Sequence, residues 1–128
     1  MIKVITLLTR KVGMTHEAFR ERYENGHRQI GEKYLGGEAV RYVRRYVNTS
    51  DPAAQYGKQP DFDVVMEIWF PNRSAMERAM AALGTPDAQA EIIADEEALF
   101  DRSRIITFVV DEVESTMERT GPTGRGAY

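Results

Sequence analysis

The 128-residue chain contains no cysteine, which excludes disulfides, thiolate nucleophiles and zinc–sulfur centres and fits a reducing compartment. Histidine is scarce as well. The two present, His16 and His27, form neither His-x-His nor His-x-x-x-His, so no metal-ligand spacing is available. No run approaches the roughly 18 consecutive apolar residues of a membrane span. The opening MIKVITLLTRK lacks a small-residue cleavage site and reads as a strand rather than a signal peptide. These absences lead to the expectation of a cytoplasmic protein with no membrane partner. Neither sign of charge dominates: 17 Lys and Arg against 20 Asp and Glu leave a net charge of −3, spread along the chain, which argues against a nucleic-acid partner. A phosphate-binding loop is missing too, since Gly121, Gly124 and Gly126 neither follow a strand nor open a helix.

What is present is ordinary globular material, 42% hydrophobic and 29% charged, enough for one domain with a core of its own. The segment most unlike a plain core element is Thr15 to Tyr34. On a helical projection Phe19, Tyr23, Gly26, His27, Ile30 and Tyr34 share one stripe, opposite Glu17, Glu21, Glu24, Arg28 and Glu32. Thr15 is a suitable N-cap. Asn25-Gly26 is a possible stop, so a helix is expected to about Asn25, followed by continuation or a kink near His27.

Residues 2–10 are apolar on both parities, as a strand covered on both faces should be. Residues 40–47, VRYVRRYV, form a second strand, with Tyr42, Arg44 and Tyr46 on one face. A loop with Asp51-Pro52, Gly57 and Pro60 follows over 48–60, and residues 61–70 make a third strand, again apolar on both parities. Met76, Ala79, Met80 and Leu83 set a helical stripe, Gly84-Thr85-Pro86 breaks it, and residues 87–100 form a second helical piece. A fourth strand is expected over 104–113. The domain thus occupies 1–113, with a polar tail at 114–128.

The order β-α-β-β-α-β defines an α+β, ferredoxin-like arrangement, an antiparallel four-stranded sheet with helices on one face. Helices on one face leave the other uncovered, yet three strands are apolar on both sides. A second copy of the chain packed sheet to sheet resolves this, and a homodimer is expected.

The ordered set MIKVITLLTRKVGMTHEAFRERY, NGH at Asn25 to His27, RYVRRYV at Arg41 to Val47, DVVMEIWF at Asp63 to Phe70 and ADEEALFDRSRIITFVV from Ala94 resembles the EthD-type family of the dimeric α+β barrel superfamily. This chain departs from the family in having Arg28-Gln29 after the histidine, where members often carry Ala-Pro. The resemblance implies a cleft between helices and sheet in each subunit and a small hydrophobic or aromatic ligand; the residues themselves carry no sign of a cofactor site, and no cofactor is expected. Relatives in the superfamily include a methylmuconolactone isomerase, polyketide cyclases, decarboxylases, dehydratases and cofactor-independent monooxygenases, so the fold narrows the cleft and leaves the chemistry open.

Within that cleft His27 is the candidate general base or acid, because an imidazole moves protons near neutral pH. The alternative is a core histidine bonded to a backbone carbonyl. Tyr46 is the second catalytic candidate, since a phenol can stabilise a developing enolate. Tyr23, Tyr42, Met66 and Trp69 are candidate substrate-binding residues; Met66 and Trp69 have opposite parity, so at most one of them faces the cleft. His16 is assigned to solvent. Glu67, buried in an apolar strand, is expected to pair with Arg41 or Arg45. Asp95, Glu96, Glu97 and Asp101 read as an acidic, solvated helix end. The function expected first is a cofactor-independent lyase or isomerase moving a proton on a small aromatic, lactone or polyketide-like compound. A non-catalytic ligand-binding protein and a cofactor-free monooxygenase are the alternatives.

Overall fold

A computed structural model describes residues 1–51 and 56–119. Four strands, β1 (Ile2–Leu8), β2 (Arg41–Tyr46), β3 (Val64–Phe70) and β4 (Ile106–Val109), make one sheet in the order β2-β3-β1-β4, with every neighbouring pair antiparallel. Helices α1 (His16–Arg22), α2 (Arg28–Leu35), α3 (Arg73–Leu83) and α4 (Pro86–Leu99) fill the connections. The β-α-β-β-α-β expectation therefore holds, as a ferredoxin-like α+β fold. No helix among the described residues is long and apolar enough to cross a membrane.

Local chemistry sets the helix starts. The hydroxyl of Thr15 accepts from the Ala18 N–H at 3.1 Å, the Asn72 side chain accepts from Ala75 at 2.9 Å, and Thr85 accepts from Ala88 at 3.3 Å. Asn25-Gly26 does not stop the first helix. Neither residue turns left-handed, and the chain passes from α1 to α2 through one π-helical turn, Tyr23–His27, in which the Arg28 N–H reaches the Tyr23 carbonyl. Tyr23 and His27 both stay on the core side of this widened turn. The true stop comes at Gly36 and Gly37, the latter at φ +86.

The sheet sorts its side chains by parity. Val4, Leu8, Val64, Ile68 and Phe70 are buried under the helices, with Phe19, Tyr23, Leu99 and Phe100 packed above them. The opposite face carries Ile5, Leu7, Val65, Ile106 and Phe108, brought side by side by the pairings Ile5↔Phe108, Leu7↔Ile106 and Leu7↔Val65. Ile106 remains 54% exposed and Phe108 40%.

All four strands are shorter than their sequence patterns, β1 and β2 by two residues each, β3 by three and β4 by six. At the start of β3, Asp63 still bonds both neighbouring segments through its backbone, its N–H donating to the Leu8 carbonyl at 2.8 Å and its carbonyl accepting from the Val47 N–H at 2.9 Å, while its carboxylate accepts from the Arg10 backbone N–H at 2.8 Å. Before β4, Asp101 caps a 3₁₀ turn at Arg102–Arg104, accepting from the Ser103 N–H at 3.2 Å. After β4 the chain runs irregular and largely exposed to residue 119, with the Val110 N–H donating to the Lys3 carbonyl at 3.4 Å and Lys3 Nζ bonded to Glu112 at 2.7 Å. The expectations for residues 52–55 of the long loop and 120–128 of the tail lie outside the described residues.

Candidate functional site

Between α2, α3, α4 and the sheet lies a cavity of about 240 Å³. Its floor is Val4, Met66 and Ile68, and Ile30, Leu83 and Ile92 wall it from the helices. An apolar cavity of about 150 Å³ holds benzene, so this volume suits one substituted ring or a small fused pair. A few polar groups break the apolar lining: His27, Tyr42, Gln89, Glu96, and the hydroxyls of Thr6 and Thr107, which are bonded to each other at 3.0 Å.

The π-helical turn delivers His27 to this cavity. Its side chain is 12% exposed, with Tyr23 and Phe100 in edge contact at centroid distances of 5.2 and 5.1 Å. His27 Nδ1 stands 2.8 Å from Oδ2 of Asp95, on α4, and Asp95 Oδ1 accepts from Arg22 Nη2 at 2.6 Å. Burial alone would raise the Asp95 carboxyl, but the hydrogen bonds from Arg22 and His27 outweigh it and hold its pKa below the ordinary carboxylate range. An ionised carboxylate only accepts, so Nδ1 carries the hydrogen. In the neutral imidazole the lone pair is then on Nε2, which has no protein partner among the described residues. A backbone-bonded core histidine, the alternative left open by the sequence, is not what the structure shows.

The tyrosines take different places. Tyr42, on β2, lines the cavity, and its hydroxyl meets that of Tyr23 at 2.8 Å. Tyr23 is fully buried behind it and does not line the cavity. Burial pushes both phenols up in pKa, most strongly Tyr23, so both are neutral donors. Tyr46 points elsewhere: its hydroxyl donates to Glu24 Oε2 at 2.5 Å, and its ring borders a separate polar groove with His16, Arg20 and Asp63. Arg44 also grips Glu24, through Nε at 2.9 Å and Nη2 at 2.8 Å. Chiefly through the Arg44 hydrogen bond, the Glu24 carboxyl falls from the ordinary 4.5 to about 2. This clamp fastens the π-helical turn to β2.

Met66 faces the cavity and Trp69 does not. Trp69 is on the open sheet face, where Lys3 Nζ lies 3.7 Å from its ring centroid and its Nε1–H donates to Glu67 Oε1 at 3.0 Å. The expectation that Trp69 lines the cleft is thereby corrected by strand parity. Glu67 pairs with Arg45, as expected. His16 is not simply solvated, because Nδ1 meets Asp63 Oδ1 at 3.0 Å and Nε2 meets Arg10. Asp95 is the residue that sequence reasoning missed. It lies among acidic neighbours on a helix without a clear apolar stripe, and only the fold brings it to His27. Among the described residues no three His, Asp or Glu side chains converge as a metal centre requires.

The ferredoxin-like β-α-β-β-α-β sheet with its helices matches the fold of dimeric α+β barrel proteins. Residues 11–103 match the EthD domain model, and the chain belongs to the EthD domain family. Solved structures agree in fold. An ethyl tert-butyl ether D family protein from Bacillus halodurans is 17% identical, with a TM-score of 0.60 over 88% of this chain and 99% of that one. An EthD-like protein from Ralstonia eutropha is 20% identical, with a TM-score of 0.56 over 85% and 86%. An antibiotic biosynthesis monooxygenase is also 20% identical, with a TM-score of 0.53 over 89% and 100%. No curated protein matches the chain in sequence.

Proposed function

We propose that the chain is a lyase or isomerase that needs no cofactor and transfers a proton on a small, largely apolar cyclic compound held in the cavity. The observation that carries this reading is the His27–Asp95 pair, which orients the imidazole toward an apolar chamber. Nε2 takes a proton from a carbon next to a carbonyl, the C–H electron pair moves toward the carbonyl oxygen as an enolate, and the Tyr42 hydroxyl donates to that oxygen. The imidazolium, stabilised by Asp95, then returns the proton to another carbon in an isomerisation, or to a departing group in an elimination.

The test works without the true substrate. A panel of small cyclic ketones and lactones is incubated with the protein in D₂O, and loss of the α-proton signal is followed by NMR. His27→Gln should lower the catalysed exchange by about 10² to 10⁴-fold, the usual worth of a positioned base. Exchange at the native rate in that variant would sink the mechanism. Binding without exchange across the panel would favour a ligand-binding protein instead, and oxygen uptake with a bound phenol would favour a cofactor-free monooxygenase.

The same reading includes a homodimer. Ile5, Leu7, Val65, Ile106 and Phe108 form an apolar patch on the sheet face away from the helices, and a second copy packed on that face would cover it.

A further inference from the structure

Gly31 lies inside α2 with ordinary right-handed helical geometry, so its backbone does not require glycine. Glycine is a poor helix former compared with alanine. Space explains its presence: a Cβ at this position would stand 2.9 Å from Cε2 of Tyr42 and 3.0 Å from both Cζ and Oη. The phenol of Tyr42 lies directly against the bare α2 backbone. Both residues line the cavity.

The direction of the hydrogen bond behind Tyr42 is also fixed. Tyr23 has no exposed surface, and the hydroxyl of Tyr42, 2.8 Å away, is the only hydrogen-bond partner of its own hydroxyl among the described residues. A buried hydroxyl left without an acceptor for its hydrogen is costly, so Tyr23 donates and Tyr42 accepts. The hydrogen of Tyr42 therefore has no protein acceptor and is free for the cavity. Burial keeps both phenols protonated, which preserves this polarity.

The geometry points to Gly31 and Tyr23 as the positioning residues that make Tyr42 a one-way hydrogen-bond donor, and hence to ligands in which an apolar ring carries an acceptor oxygen. This rests on the cavity proposed above as the ligand site, but not on proton transfer by His27. A hydrocarbon of the same shape would leave the Tyr42 hydrogen unpaired, and the cavity would reject it to that extent.

A matched probe pair tests this: 1-indanone and indane, differing in one carbonyl, titrated against the full chain by ligand-observed NMR. The native protein should prefer 1-indanone about fivefold or more, the order expected of one hydrogen bond. Tyr42→Phe should remove the preference. Gly31→Ala, which favours the helix but displaces the phenol, should remove it as well, with far-UV circular dichroism showing that the variant is folded. The double variant should show no further loss, as two changes acting through one hydroxyl require. A native protein that binds both probes equally, or a Gly31→Ala variant that keeps the native preference, overturns the inference. Because neither readout involves turnover, a failure here is distinguishable from failure of α-proton exchange in the His27 experiment.

Discussion

His27 Nδ1 and Asp95 Oδ2 lie 2.8 Å apart across the gap between the π-helical turn and α4, 68 residues apart in sequence. This contact sets which imidazole nitrogen is free. An asparagine at 95 offers both an oxygen and an NH₂ group. With its NH₂ turned toward Nδ1 it would reverse the tautomer and place the lone pair away from the cavity. Asp95→Asn should lower the α-proton exchange rate by about tenfold at least, with up to ~10⁴-fold as the upper limit seen when a carboxylate that orients a catalytic histidine is amidated. NMR exchange rates of the variant and native chain, measured at one pH, check this. Equal rates would reduce Asp95 to a structural partner of Arg22.

Stability below pH 5 should depend on Glu24. Its carboxyl falls from the ordinary 4.5 to about 2, first through the hydrogen bond from Arg44. A group with a depressed folded pKa adds stability that is complete above its unfolded value and fades as pH falls through its folded one. The window here is pH 4.5 down to 2. Because Glu24 is a third exposed, solvent screening reduces the contribution to about 1–2 kcal/mol. Urea melts of the native chain and Glu24→Gln should differ by that amount near pH 6 and converge toward pH 2. A difference independent of pH would show that the ion pair is not its source.

Tyr42 and Tyr46 look alike in the sequence, both on one face of β2, yet their hydroxyls serve different ends. Tyr46 donates to Glu24 at 2.5 Å, which belongs to the clamp on the π-helical turn, and Tyr42 borders the ligand cavity. Tyr46→Phe should therefore cost stability, about 1.5–3 kcal/mol for a hydrogen bond to a charged group, and leave exchange within a few-fold of native. Tyr42→Phe should lower exchange as well as stability, because the buried Tyr23 hydroxyl loses its acceptor, so the exchange rate is the readout that separates the two tyrosines. Exchange abolished by Tyr46→Phe at full folding would restore Tyr46 to the catalytic role that the sequence suggested.

Much of this arrangement is visible in the sequence because it depends on local rules. The cap Thr15 announces its helix, and apolar, β-branched and aromatic content marks the strands. The aromatic stripe through Phe19, Tyr23 and His27 lies against the core as its spacing predicts. Parity alone shows that Met66 and Trp69 cannot share a face. What stays hidden depends on contacts between distant segments. Asp95 looks like its neighbours Glu96 and Glu97 until α4 is docked, and Asn25-Gly26 looks like a helix end until tertiary packing carries the chain through a π-helical turn. Tyr42 and Tyr46 are told apart only by where Glu24 and Gly31 come to rest.

The open sheet face gives the final prediction. Ile106 and Phe108 are 54% and 40% exposed on an edge strand, beside Leu7 and Ile5, and a lone chain would leave this apolar surface in water. In a sheet-to-sheet dimer Phe108 is buried on both protomers, and a glutamate there places two carboxylates in an apolar interface across the two-fold axis. On the isolated chain the same residue stays hydrated and costs little. Phe108→Glu should therefore convert a dimer into a folded monomer, with unchanged far-UV circular dichroism and half the sedimenting mass at micromolar concentration. Native protein that sediments as a monomer under those conditions would remove the dimer from the proposal. A variant that stays dimeric would move the interface off this face.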